Sequence, residues 1–275
     1  MIGRVQGFKS LHMVENKFLE VAKEAAIRAG EIIKPELGKI HRYSEKGEND
    51  FVTEIDIRSE EAIKKTILRY FPDHEILTEE TGLSGKSSFR WIIDPLDGTK
   101  NFIHGFPYVA VSIALQIKGQ LKVGVILDVG QDELYWAEDG SGAFKNGHRI
   151  SVSQEKDLAK SMIATGFPFR KKEFLDTYLK LFREVFLRSS AVRRVGAAAL
   201  DLALVASGIF DGFFEFFLSP WDIAAGIVII REAGGKVKSM FGEDELAGNI
   251  IASNPYIFED LENIVNHVVN AKKLS

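Results

Sequence analysis

The sequence predicts an α+β fold of two intimately packed halves that meet near residue 155. Three observations carry that expectation. Apolar residues at helical spacing open the chain, β-like runs fill its middle, and helices mix with buried strands thereafter. No repeat or low-complexity linker separates the parts. At 275 residues there is ample material for buried cores.

Phe18, Val21, Ala22, Ala25, Ala29, Ile32 and Ile33 recur at helical spacing, so residues 14–33 are predicted as an amphipathic helix closed before Pro35. Residues 1–12 carry Arg4 and Lys9 without the apolar run of a signal peptide, and read as a loose tail. Residues 46–49 are turn-like. Ala62, Ile63, Ile67, Leu68 and Phe71 mark a second helix over roughly residues 57–71, stopped by Pro72. Asp56, Ser59, Glu60 and Glu61 suit its positive N-terminal end.

The period then changes. Ile76-Leu77, residues 91–93, 109–117 and 121–128 are β-like, the last two joined as a hairpin across Lys118-Gly119-Gln120. Residues 134–137 and 143–150 continue the pattern, with Asn146-Gly147 a strong turn dipeptide. Residues 174–186, 197–208 and 222–233 read as helices, the third ended by Gly234-Gly235. Residues 250–252 form a buried strand and 258–271 a closing helix.

Composition narrows the function. Hydrophobic residues at 45% and charged residues at 27% are ordinary for a globular protein. A net charge of −4 gives no reason to expect nucleic acid as a partner. The absence of cysteine excludes disulfides, thiolate zinc sites and a cysteine nucleophile. No stretch approaches the roughly 20 apolar residues that span a bilayer, so no membrane association is expected and the cytoplasm is the expected compartment.

The chemistry concentrates in Trp91-Ile92-Ile93-Asp94-Pro95-Leu96-Asp97-Gly98-Thr99-Lys100-Asn101. A short buried strand delivers Asp94 at its end, and a turn delivers Asp97 three residues later. Pro95 stiffens that turn, and Gly98 lets the backbone pass close to a ligand. Two carboxylates so near repel unless a cation lies between them, and hard oxygen ligands suit Mg2+. An Asp-Gly surface turn is the plainer alternative. Glu79-Glu80 follows the strand Ile76-Leu77, and strand ends are where open α/β sheets place ligands. Asp222 opens an apolar helix, where capping it is the simpler role; Asp56 stands likewise at the second helix.

Glu79-Glu80, Asp94-Pro95-Leu96-Asp97-Gly98-Thr99 and Trp221-Asp222-Ile223-Ala224-Ala225-Gly226 resemble the signature segments of inositol monophosphatases. Asp50-Phe51-Val52-Thr53-Glu54-Ile55-Asp56 is similar to the family's upstream Asp-x-Val-Thr-x-x-Asp element. The segment from Arg193-Arg194 to Asp201, and Glu232-Ala233-Gly234-Gly235, match two more. Six pieces in order, within a similarity that runs from about Glu15 to the last helix, make the resemblance specific.

The resemblance implies a layered αβαβα sandwich of the inositol monophosphatase/fructose-1,6-bisphosphatase type. Residues 13–155 would carry most metal ligands, and residues 156–275 would carry Asp222 and the substrate contacts. It implies hydrolysis of inositol monophosphate to inositol and phosphate by in-line attack of metal-activated water. Two or three Mg2+ ions would serve, with Mn2+ able to substitute, in a lithium-sensitive homodimer. Glu79, Asp94, Asp97, Asp222 and the main-chain oxygen of Leu96 would bind metal. Thr99, oriented by Asp50, and Glu79 would hold and activate the water. The Gly98 and Thr99 N–H groups would receive phosphate; Glu215, Asp97 and the main chain around Ala198 would meet the hydroxyls of the alcohol. Asp56 would contribute to an outer metal. Ala197 departs from the small hydroxyl residue common there, which leaves substrate preference open.

The chemistry agrees with that assignment. A phosphate monoester dianion repels an anionic nucleophile, and its hydrolysis is among the slowest uncatalysed reactions. Metal ions offset that charge. Asp94 and Asp97 have two residues between them rather than the one of an aspartyl-phosphate phosphatase. Gly82-Leu83-Ser84-Gly85-Lys86-Ser87 lacks the glycine spacing of a nucleotide P-loop. The histidines are scattered without metal-ligand spacing, and Phe210, Phe213, Phe214, Phe216 and Phe217 suit core or dimer packing. Fructose-1,6-bisphosphatase or another small phosphate monoesterase is the enzymatic alternative. A protein-binding module with secondary phosphatase activity is the non-enzymatic one.

Overall fold

A computed structural model describes residues 3–39, 43–47, 50–169, 171–242 and 244–273, and the side chains of 17–39, 43–45, 51–169, 171–242 and 244–269. Helix α1 (Gly3–Ile33) buries Phe18, Val21, Ala22, Ala25, Ala26, Ala29 and Ile33, the stripe its spacing predicts. Its backbone runs back to Gly3, through residues expected as a loose tail, because no proline interrupts the segment. The antiparallel pair β1 (Tyr43–Gly47) and β2 (Asp50–Thr53) leads into α2 (Glu54–Tyr70), which packs on α1.

The next elements are β3 (Glu75–Thr78), β4 (Gly82–Ser84), β5 (Phe89–Asp97), the short α3 (Thr99–Ile103), β6 (Ala110–Ile117), β7 (Gln120–Asp128), β8 (Glu133–Glu138), β9 (Gly142–Lys145) and β10 (His148–Ile150). Their strands form one sheet in the order β10-β9-β8-β7-β6-β5-β3-β4, antiparallel except for the β3–β5 pair. Side chains alternate across it as the pleat requires. Trp91, Ile93, Val111, Ile113, Val123 and Val125 join the core under α1 and α2, whereas Ile92, Ala110, Ala114 and Ile126 face the opposite core.

The second half runs β11 (Met162–Thr165), α4 (Leu175–Phe186), β12 (Ala191–Arg193), α5 (Ala198–Ala206), β13 (Gly212–Glu215), α6 (Pro220–Glu232), β14 (Lys236–Ser239), β15 (Ile250–Ser253) and α7 (Phe258–Lys273). Its sheet has the order β12-β11-β13-β15-β14. Helices α5 and α6 lie between the two sheets, and α4 and α7 cover the outer face. The layers therefore follow an αβαβα order. The middle layer is tight: a Cβ on Gly124 of β7 would come within 2.5 Å of the Ala225 carbonyl oxygen of α6. Within the phenylalanine run, Phe213 joins the inter-sheet core and Phe214 the outer one, which is the alternation of a strand rather than a ring platform.

Candidate active site

Strands β3 and β5 run parallel, with Thr78 opposite Ile93. Their carboxyl ends thus emerge side by side, and Glu79 follows one while Asp94 lies in the other. The β5–β6 register slips between Asp94↔Ser112 and Asp97↔Ala110, so one extra residue bulges out of β5. Pro95, which has no N–H for the ladder, lies within this bulge. The loop closes on itself: the Leu96 N–H donates to Asp94 Oδ1 at 3.0 Å, and the Thr99 hydroxyl oxygen lies 3.2 Å from the Leu96 carbonyl oxygen. Gly98 then takes φ 88°, a left-handed conformation, as the residue before α3. A Cβ there would sit 2.9 Å from the Tyr108 carbonyl oxygen and 3.3 Å from Ala197 Cβ.

Two helix N-termini complete the set in the same way. At α2 the Thr53 N–H donates to Asp56 Oδ2 at 2.8 Å, the reach-back half of a capping box. At α6 the Ser219 N–H donates to Asp222 Oδ2 at 2.7 Å, with Pro220 in the first turn. Thr53 and Ser219, not the aspartates, occupy the cap positions. The aspartates sit three residues on, which turns them toward the carboxyl ends of the first sheet. The Thr99 hydroxyl donates to Asp56 Oδ1 at 3.0 Å. The expected pairing of Thr99 with Asp50 involves a side chain outside the described residues. Asp56 thus uses Oδ2 on Thr53 and Oδ1 on Thr99.

The second half closes the cavity. Asp97 Oδ2 accepts from the Ala199 N–H at 2.7 Å, so the start of α5 is fastened to the bulge of β5. The main chain beside Ala198 therefore engages Asp97, while Ala198 itself lines the cavity. Asn101 Nδ2 donates to the carbonyls of Tyr108 and Val195, and the Ser112 hydroxyl to the Trp221 carbonyl, tying both halves together. Glu79, Asp94, Leu96, Asp97, Gly98, Thr99, Ala198, Glu215 and Asp222 all border this one cavity. Asp56 stands behind Thr99.

Burial and mutual repulsion dominate the electrostatics. Asp94 is buried, which raises its pKa well above the usual carboxylate range, and the charges of Glu79, Asp97 and Asp222 push it further. Burial also raises Asp97, with Asp222, Asp201 and Glu79 adding to it. Glu215 is raised by burial and by Asp201, with Arg194 opposing. Carboxylates held together in this way are those a cation would relieve. The donors are all hard oxygens, a set that fits Mg2+ rather than a thiophilic metal. Among the described residues, no three carboxylate or imidazole groups already stand at a spacing that would hold one ion. Each of Asp94, Asp97 and Asp222 is instead turned by one oxygen to a backbone N–H.

Several residues at the site carried no assignment from sequence. The Tyr108 hydroxyl donates to Asp201 Oδ1 at 2.8 Å, and burial lifts Asp201 to about 7. Lys100 and Arg194 stand over the Phe169 ring at 4.8 and 5.3 Å, making a cationic, aromatic mouth. Arg194 and Asp201 lie inside a recognised segment and could have been found there. Tyr108 lies outside every recognised segment.

Comparison with known proteins agrees with this architecture. The model of the inositol monophosphatase family matches residues 15–272. The chain is 49% identical over 242 residues to fructose-1,6-bisphosphatase/inositol-1-monophosphatase of Aquifex aeolicus, covering 86% of this chain and 91% of that one. It is 45% identical over 262 residues to Nus factor SuhB of Escherichia coli K12, covering 93% and 98%. The solved structure of Thermotoga maritima IMPase superposes with a TM-score of 0.85 at 36% identity, covering 93% of this chain and 99% of that one. By its matched length, its site segments and its layered fold, the chain belongs to the inositol monophosphatase family.

Proposed function

We propose that this protein is a Mg2+-dependent phosphomonoesterase that hydrolyses inositol monophosphate to inositol and phosphate. One observation carries the reading: Glu79, Asp94, Asp97 and Asp222 border a single cavity, and the charges of Glu79 and Asp222 raise the cost of ionising Asp94 and Asp97. These four, with the Leu96 carbonyl oxygen, would hold the metal. When bound, Mg2+ supplies charge neutralisation, a water of lowered pKa and stabilisation of the leaving oxygen. Glu79 and the Thr99 hydroxyl orient the attacking water, with Asp56 fixing that hydroxyl from behind and Asp50 kept as a second candidate partner. The Gly98 and Thr99 N–H groups position the phosphate. Glu215, Asp97 and the backbone at Ala198 address the hydroxyls of the alcohol.

The same reading includes two or three ions, replacement by Mn2+, lithium inhibition, a homodimer and a cytoplasmic setting. Among the described residues no helix is long and apolar enough to cross a membrane. Leu175, Leu179, Phe186 and Leu187 expose an apolar stripe on and just beyond α4, which supports self-association. The test is phosphate release with and without Mg2+ from inositol monophosphate, fructose 1,6-bisphosphate, histidinol phosphate and adenosine 3′,5′-bisphosphate. Inositol monophosphate is expected to lead. If none of the four releases phosphate in a Mg2+-dependent way, the binding-module alternative replaces this reading.

A further inference from the structure

Glu60 lies on α2 one turn beyond Asp56, is only 2% exposed, and has no part in the chemistry above. Burying a carboxylate is unfavourable unless its oxygens are well used, and an apolar side chain would serve a plain core position better. Both oxygens of Glu60 are used on one short segment. Oε1 accepts from the Thr81 hydroxyl at 2.6 Å, and Oε2 accepts from the Glu80 N–H at 3.1 Å. Lys64, one turn further along α2, lies 3.6 Å from Glu60 Oε1 and donates to Thr81 Oγ1 at 3.0 Å. The Thr78 hydroxyl, at the end of β3, lies 3.1 Å from that of Thr81. Glu79 stands between these anchors.

Positions i, i+3 and i+4 share a helix face. On α2 these are Asp56, Ser59 and Glu60, and each holds a different piece of the site. Asp56 takes the Thr99 hydroxyl, the Ser59 hydroxyl donates to the Pro95 carbonyl at 2.7 Å, and Glu60 takes the turn after β3. We propose that Glu60 is a positioning residue for Glu79: it clamps Glu79-Glu80-Thr81 to α2 and so fixes the Glu79 carboxylate against Asp94. This rests on the reading that Glu79 and Asp94 bind Mg2+.

The test is Glu60→Gln in the full chain, with Mg2+ titrated calorimetrically into metal-free protein alongside kcat, KM and the melting temperature. Glutamine keeps the volume but has one acceptor oxygen and no charge. With that oxygen on the Glu80 N–H its NH2 group faces Thr81 Oγ1, the Thr81 proton must turn away, and the ion pair with Lys64 is lost. Residues that orient metal ligands typically change metal affinity by about 10–100-fold. Glu60→Gln should therefore weaken Mg2+ binding and lower kcat by roughly tenfold or more, with KM little changed. Thr81→Val, which leaves the helix untouched, should shift both in the same direction. Adding Glu60→Gln to Glu79→Gln should weaken Mg2+ binding no further. A folded Glu60→Gln protein with wild-type Mg2+ affinity and kcat would overturn the proposal, even with a lowered melting temperature, as would full additivity with Glu79→Gln. If the wild-type chain binds no Mg2+, the metal reading fails and takes the clamp with it. If Asp94→Asn abolishes binding while Glu60→Gln does not change it, the clamp fails alone.

Discussion

Gly166 lies directly against the carboxyl group of Glu215: a Cβ on Gly166 would sit 1.9 Å from Glu215 Oε1 and 2.1 Å from its Cδ. The two are brought together by the parallel pairing of β11 with β13, which sets Thr165 opposite Phe214 just before them. Glycine at 166 is what leaves room for Glu215 to turn into the cavity. Gly166→Ala should therefore act as a displaced Glu215, and Glu215→Gln as a neutralised one. Both should reorder the substrate panel while leaving the Mg2+ concentration for half-activation unchanged. The check is kcat/KM across the panel. A uniform loss, extending to substrates without neighbouring hydroxyls, would move Glu215 from recognition to chemistry or structure.

Asp94→Asn should abolish most turnover, by at least about 100-fold, as removal of one key electrostatic group does elsewhere. The metal-free protein should nevertheless become more stable. A carboxylate whose folded pKa is raised stabilises below its unfolded pKa and loses that contribution as pH rises through the folded value. Without metal and above its unfolded pKa, folded Asp94 must either ionise against burial and the charges of Glu79, Asp97 and Asp222 or hold a proton, and asparagine removes that cost at equal volume. Thermal melts in chelator should show the variant melting higher than wild type, and addition of Mg2+ should shift it less. A variant that melts lower in chelator, or turns over normally at saturating Mg2+, contradicts the assignment.

Thr99→Ala should lower kcat with little effect on Mg2+ affinity, because its hydroxyl is held by Asp56 and the Leu96 carbonyl as an orienting group. Asp56→Asn should produce a smaller loss in the same direction. Its Oδ2 caps α2 through Thr53, so part of its effect will appear as stability, on the order of 1 kcal/mol. Chemical-step rates under single turnover, paired with denaturant melts, separate the two contributions. A Thr99→Ala protein that is inactive solely because Mg2+ no longer binds would place Thr99 among the ligands instead.

The main helices and the central hairpins were legible because their signals are local. The α1 stripe, the Asn146-Gly147 turn between β9 and β10, and Gly234-Gly235 after α6 each fit within a few residues. The short strands β11, β13 and β14 were not, since four-residue runs acquire strand character only from neighbours distant in sequence. The site divides likewise. Asp94, Asp97 and Asp222 stand in recognisable segments. Nothing local indicates that Asp56 would meet Thr99, 43 residues away, or that Tyr108 would meet Asp201 across the interface between halves. The cap positions were also misjudged by three residues, because the N-cap and N3 partners of a capping box are both polar and only the backbone shows which precedes the helix.

His74 supplies a pH test on the far side of β5 from the cavity. Its ring stacks between Phe71 and Phe89, with centroids 4.7 Å away on either side and interplanar angles of 9° and 10°. The Trp91 indole N–H donates to His74 Nδ1 at 3.0 Å, which requires an unprotonated Nδ1. Burial lowers the His74 pKa, and the Asp73 charge only partly opposes that. The folded value therefore lies below the unfolded one of about 6.5. Neutral His74 contributes stability that is fully present above that pH and is lost as pH falls through the folded value. His74→Gln, which offers an amide oxygen to Trp91 but cannot titrate in this range, should remove this component. In chelator, where no metal adds its own pH dependence, the melting-temperature advantage of wild type over the variant should hold constant above about pH 7 and shrink on acidification. An advantage that instead grows below pH 6.5 would mean that protonated His74 is the favoured form, and that the Trp91 hydrogen bond contributes nothing to the fold.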